Sequence, residues 1–139
     1  MNTREAIPLP KFELSGLYPA ERGREVLLYV DTKLVKKLKV LLSNDTIKKK
    51  FRQVAEFVLS DNYDKDVYGH EQHSGKSKDV YAIKICVVGN HRIYCKEFYY
   101  PKQKRVVMIH YEDKKVEKLD KRLQKMVDRI GGYEYDFKS

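Results

Sequence analysis

Residues 80–111, VYAIKICVVGNHRIYCKEFYYPKQKRVVMIHY, decide the fold. Three runs rich in β-branched and aromatic residues, roughly Val80 to Val88, His91 to Tyr99 and Arg105 to Tyr111, are punctuated by Gly89-Asn90 and by Pro101. Connections that short force neighbouring strands to run antiparallel, so the stretch predicts a β-meander. Alternate side chains of a strand point to opposite faces. Tyr81, Ile83, Ile85 and Val87 therefore share an apolar face and Lys84 takes the other. On the next strand Ile93 and Cys95 are core, while Arg92, Tyr94, Lys96 and Phe98 turn with Lys84. On the third, Val107 and Ile109 read as core, which sends Met108 and His110 outward. Lys84, Arg92, Tyr94, Lys96 and His110 then converge on one face. An ordinary solvated sheet face produces the same alternation.

Upstream, EVLLYV from Glu25 reads as a first strand. Leu34, Val35, Leu38, Leu41 and Leu42 then recur at helical spacing behind a cap at Asp31 or Thr32. A second helix follows, capped by Thr46, with Ile47, Phe51, Val54, Ala55, Val58 and Leu59 as its stripe and Lys48, Lys49, Lys50 and Arg52 mostly off it. Residues 61–79, rich in Asp, Tyr, Gly, Ser and His without a period, predict a long loop, and loops of that length are usually functional or mobile. Downstream, Val116, Leu119, Leu123, Met126, Val127 and Ile130 mark a C-terminal helix ended by Gly131-Gly132. The first two dozen residues hold Pro8, Pro10, Pro19, Gly16 and Gly23, the pattern of an extended arm. The expectation is thus an arm over 1–24 and one α+β domain over 25–139: an N-terminal strand, a helical hairpin, an antiparallel meander and a C-terminal helix, with the helices on one sheet face and the other face open.

A chain of 139 residues suits one hydrophobic core, and 42% hydrophobic residues suffice to build it, so disorder throughout is excluded. The net charge of +9 favours a polyanionic partner, whether RNA, DNA or an acidic protein. Lys33, Lys36, Lys37, Lys39, Lys48, Lys49, Lys50 and Arg52 are opposed over their stretch only by Asp45, which points to a basic face or to a solvated surface. Cys86 and Cys95 lack zinc-site spacing and fall on opposite sheet faces, so free thiols are expected. No signal peptide or spanning run is evident, and the expected location is cytoplasmic, away from membranes. His70, Glu71 and His73 do not have the H-E-x-x-H spacing of a helical zinc site, and no metal or other cofactor is expected. Of the 11 tyrosines most lie in the sheet half of the chain, where they either stack on bases or line the core edge.

Three segments, YAIKI, HRIYCKEF and VVMIHYEDKK, resemble the RelE/ParE superfamily of bacterial toxins, RelE and HigB in particular; they span about the last sixty residues. The resemblance implies a ribosome-dependent endoribonuclease that cuts mRNA without a metal and is restrained by a cognate antitoxin. It places Lys84 and Arg92 as phosphate-stabilising groups, with Lys84 where members often carry arginine. It matches Lys76 and Lys78 to basic residues just before the strand of Lys84, where they join Tyr94 and Lys96 of the shared face as expected RNA contacts, and it puts His110 and Tyr111 at proton-transfer positions. Tyr133 and Tyr135 fall in a tail that reaches substrate. Lys48, Lys49, Lys50 and Arg52 would meet ribosomal RNA or the antitoxin. A noncatalytic RNA- or protein-binding module of the same fold, and a ParE-like topoisomerase inhibitor, are the alternatives.

Overall fold

The alternating run at 80–111 forms the middle of a seven-stranded mixed sheet in the computed structural model, which describes residues 3–9, 24–72, 74–114 and 120–138. Strands β1 (Thr3–Pro8) and β2 (Glu25–Asp31) are followed by helices α1 (Val35–Leu41) and α2 (Asp45–Leu59). Then come β3 (Tyr68–His70), β4 (Val80–Ile85), β5 (His91–Tyr100), β6 (Gln103–Asp113), α3 (Lys121–Gly131) and β7 (Glu134–Phe137). The sheet order is β3-β4-β5-β6-β2-β1-β7. β3 to β6 are antiparallel neighbours, whereas β2 lies parallel to β6 and β7 parallel to β1. Pro101 and Lys102 close the β5–β6 hairpin, Lys102 at the left-handed φ of 59° that the second turn position requires. Asn44, rather than Thr46, caps α2 by accepting from the Ile47 amide at 3.1 Å. α1 starts behind Leu34 with no side-chain cap, because Asp31 Oδ1 instead accepts from the Lys33 amide at 2.8 Å.

The expected strand, helical hairpin, meander and C-terminal helix are present, but the helices do not share a face. α1 and α2 bury Leu38, Ile47, Phe51, Val54 and Val58 against Val26, Leu28, Val30, Ile83, Ile85, Ile93, Cys95, Val106 and Met108. α3 packs Leu123, Val127 and Ile130 on the opposite face, over Ala6, Tyr29, Val80, Ala82, Tyr94, Val107 and Ile109. At about 1.5–3 kcal/mol for each buried side chain, that three-residue stripe holds an otherwise charged helix in place. The face expected to be open is therefore largely covered. The four apolar residues Val106 to Ile109 in succession are the sequence mark of a strand buried on both sides.

Three stretches expected to be irregular extend the sheet. Thr3–Pro8, assigned to an arm, pairs with β2; residues 1–2 and 10–23 of that arm lie outside the described residues, as do Val116 and Leu119 of the expected helix. Tyr68–His70, assigned to the long loop, forms the edge strand against β4, and the tail supplies β7. β3 and β7, of three and four residues, are too short for periodicity to register, β1 as TREAIP has few apolar residues to alternate, and each is held by backbone pairing that sequence alone does not display. Arg4 and Tyr135, from β1 and β7, both donate to Asp31 Oδ2 of β2 at 2.6 Å.

A register shift in β5–β6 sets the orientation of the later residues. Cys95 pairs with Met108 but Tyr94 pairs with His110, leaving Ile109 as the extra residue of a bulge. Met108 is core beneath the hairpin, and Val107 and Ile109 lie under α3, the reverse of the strict alternation. The bulge then reverses parity once more, so His110 returns to the Lys84 face.

Beyond the C-terminal end of α2, the hairpin face carries a buried charge network. The Lys104 ammonium, fully buried, donates to Asp61 Oδ1 at 2.7 Å, Tyr63 Oη at 2.8 Å and Glu97 Oε2 at 3.2 Å. Glu97 also accepts from the hydroxyls of Tyr63 at 2.8 Å, Tyr68 at 2.7 Å and Tyr99 at 2.5 Å. Arg24 grips Asp61 with two bonds, at 2.7 and 3.0 Å. A buried charge is tolerable only with such a set of partners.

Candidate functional site

Cross-strand pairing puts Lys84 opposite Arg92, and Arg92 opposite Glu112, in one row on the face that α3 covers. The neighbouring row is Ala82, Tyr94 and His110. α3 closes over the second row, where Tyr94 is buried, and leaves the first at its margin. There Lys84 and Arg92 form one wall of a cavity of about 440 Å³, whose other lining residues include Lys65, His70, Glu71 and Gln72. Gly69, between Tyr68 and His70, faces the same side as Lys84. A Cβ on it would meet Lys65 Cα at 2.9 Å, so only glycine lets the 64–67 turn fold against β3 and bring the Lys65 carbonyl to the Lys84 ammonium, which donates to it.

Arg92 is 8% exposed, and its Nη1 donates to Glu71 Oε1 at 3.3 Å. Its Nε has no hydrogen-bond partner among the described residues, and neither has the Tyr94 hydroxyl. A buried guanidinium with one long contact and one vacant donor retains capacity for an anion, because leaving that donor unmatched costs about 1–3 kcal/mol. Burial, aided by the Glu71 charge, pushes the Tyr94 phenol up to about 12, so it keeps its proton and acts as a neutral neighbour of Arg92. Nearby, His110 Nε2 lies 3.1 Å from Glu112 Oε2, and Arg122 donates to Glu112 Oε1 at 2.5 Å. Burial pushes the Glu112 carboxyl up, but the hydrogen bonds from Arg122 and His110 outweigh it and hold the group below the ordinary carboxylate value.

Of the five side chains expected to converge, Lys84 and Arg92 share the cavity and Tyr94 and His110 occupy the adjacent row. Lys96 has a different role: its ammonium donates to the carbonyls of Gly131 at 2.9 Å and Tyr133 at 2.8 Å, tying off the end of α3, and burial pulls its pKa below the ordinary lysine value. Tyr111 lies on the opposite sheet face, 2.6 Å from His91 Nδ1. Because His91 Nε2 must donate to the Val88 carbonyl, at 2.9 Å, Nδ1 is the acceptor for the Tyr111 hydroxyl. Tyr133 stacks under the Arg4 guanidinium at 4.4 Å, and Tyr135 is held by Asp31, so neither reaches the cavity. Lys76 and Lys78 are exposed, Lys76 within and Lys78 just after a 3-10 turn, Gly75–Ser77, that packs on the end of α3. Lys48, Lys49, Lys50 and Arg52 belong to α2, across the sheet from the cavity.

Lys65, His70, Glu71 and Gln72 enter the site from a stretch without periodicity, where composition alone marked a functional loop. His70 stacks on Tyr81 with ring centroids 4.7 Å apart and its Nε2 donates to the Lys78 carbonyl. Among the described residues no group of three or more His, Cys, Asp or Glu is arranged to hold a metal ion; His73 lies outside them. Among the same residues no helix is long and apolar enough to cross a membrane. No family model, curated protein or solved structure matches the chain.

Proposed function

We propose that the cavity at Lys84 and Arg92 binds an RNA phosphodiester and promotes its cleavage by the adjacent 2′-hydroxyl, making the protein an endoribonuclease of the RelE/HigB kind. The observation that carries this reading is the Lys84–Arg92 pair on one cavity wall, with a buried guanidinium donor left vacant. Charge builds on the non-bridging oxygens as the 2′-oxygen attacks phosphorus, and a preset cation pair meets that charge without reorganising. Glu71, its second oxygen free of the Arg92 contact, takes the 2′-hydroxyl proton. His70, at the strand edge that both cavities share, holds its Nε2–H on the Lys78 carbonyl and hands the proton on Nδ1 to the departing 5′-oxygen. These two replace Tyr111, which sits across the sheet; His110, bonded to Glu112, supports the row beside Arg92. The products are a 2′,3′-cyclic phosphate and a 5′-hydroxyl. The strand–helical hairpin–meander–helix order supports a RelE-like core enlarged by β1, β3 and β7, and the resemblance in letters supports a ribosome-bound mRNA substrate and a restraining antitoxin.

The test is end mapping of RNA incubated with purified protein, free and in a translating extract, with chelator present. Cleavage that leaves cyclic phosphate ends, and falls about 10²–10³-fold in Arg92→Ala, is expected. Intact transcripts under both conditions would refute the reading. A binding module that cuts nothing is the second reading. It is favoured by the engagement of Lys96 at the end of α3 and of Lys84 by a backbone carbonyl, and it would appear as salt-dependent RNA binding without product.

A further inference from the structure

We propose that an aromatic cleft on the other side of the edge strand is a nucleobase subsite, so that the substrate is an unpaired strand crossing the β3 edge; this rests on the RNA reading of the cavity above. Tyr68 and His70 point to the hairpin face of β3, opposite to Gly69, and Tyr81 of β4 lies across from His70. Tyr63, just after α2, completes a layered set: its ring centroid is 5.7 Å from Tyr68 and 5.2 Å from Tyr81, with Tyr68 5.3 Å from Tyr81. These rings bound a second cavity of about 310 Å³, rimmed by Asp64 and Lys65. Its outermost ring, Tyr63, is 46% exposed, which is unusual for a tyrosine whose hydroxyl is held by a buried carboxylate.

That contrast is the physical argument. The hydroxyls of Tyr63 and Tyr68 end on Glu97, so the ring edges are fixed; Tyr68 is fully buried behind them, and the ring surface available in the cleft is that of Tyr63 and half-buried Tyr81. A face held in place loses little side-chain entropy when a base stacks on it, and every base offers a matching π-face. Lys65 and His70 line both cavities, so the cation wall and the aromatic cleft are neighbours on the two sides of β3. Among the described residues no further strand flanks β3; Asp64 bridges Tyr68 on its outer side, and the edge beyond, at the exposed His70, is left for a strand passing over it. A phosphate on Lys84 and Arg92 then places a flanking base against Tyr63 and Tyr81. A base locked in a duplex cannot enter.

The test uses fluorescence anisotropy at low salt with a short 2′-O-methyl RNA, which retains bases and phosphates but cannot be cut, and with the same strand carrying abasic sites. The expected result is binding about tenfold or more tighter for the intact strand, with Tyr63→Leu and Tyr81→Leu abolishing that ratio and Arg92→Ala weakening both strands alike while preserving it. His70→Ala, at an exposed position that does not threaten folding, should reduce the ratio severalfold even if a tyrosine variant misfolds. Equal wild-type affinity for the two strands would remove the base subsite and leave the phosphate site standing. Binding of neither strand would remove both.

Discussion

Replacing Lys104 by Met tests whether the buried network is held by charge pairing. The side chain is fully buried, and its three partners, Asp61, Tyr63 and Glu97, lie within 3.2 Å. Breaking a buried ion pair from one side costs about 3–5 kcal/mol, because the remaining charge is stranded. Glu97 would keep three tyrosine hydroxyls, and Asp61 would keep Arg24, which places the expected cost near the lower end, about 3 kcal/mol. For a chain of this size that is a fall in Tm of about 10 °C. Adding Glu97→Gln removes the stranded charge while leaving an amide oxygen for the tyrosines, so the double variant should be about 1–2 kcal/mol more stable than Lys104→Met alone. Urea unfolding followed by circular dichroism and by tyrosine fluorescence measures the wild type, Lys104→Met, Glu97→Gln and the double variant, and checks that the two probes coincide. A single variant costing under about 1 kcal/mol, or a double variant at the sum of its parts, would refute the claim that Lys104 and Glu97 neutralise each other in a water-excluded site.

Asp61 supplies an acid limb to the stability profile. Hydrogen bonds from Arg24 and then Lys104 lower its carboxyl to about 2 against opposing burial. A carboxylate depressed from its unfolded value near 4 contributes stability above about pH 4 that is lost as pH falls towards 2, here about 2 kcal/mol. Asp61→Asn, which tolerates the local φ of 61°, should flatten thermal melts between pH 4 and 2, and an unchanged slope would contradict the assignment. Lys96→Met should cost about 1–2 kcal/mol in urea titrations through the lost α3 cap while leaving the salt slope of RNA binding intact, whereas Lys84→Met should lower that slope by about 1. Gly131→Ala ought to gain about 1 kcal/mol on helix propensity alone, yet its Cβ would stand 1.8 Å from the Lys76 carbonyl oxygen; we expect destabilisation above about 2 kcal/mol and faster amide exchange over residues 74–79.

Periodicity made much of this protein legible. The meander, both hairpin helices and the shared face of Lys84 and Arg92 follow from spacings of 2.0 and 3.6 residues, which local backbone geometry imposes whatever the rest of the chain does. The stripe of α3 was equally visible, but a stripe states that a helix must be covered and not which sheet face covers it. His110 arrived on the expected face because two deviations cancelled: Met108 faces the hairpin, and the Ile109 bulge then restores the parity.

The sequence by itself determined four of the strands and the three helices, the apolar stripe of each helix, and that basic and aromatic residues share one side of the meander, since these depend on residues a few positions apart. Only the tertiary structure decided that Lys96, Tyr133 and Tyr135 serve the scaffold, that Glu71 and His70 join Arg92, and that Lys104 is buried on Glu97. Those pairings link residues far apart in the chain or set by strand register and loop closure, and their energies depend on how fully water is excluded around them.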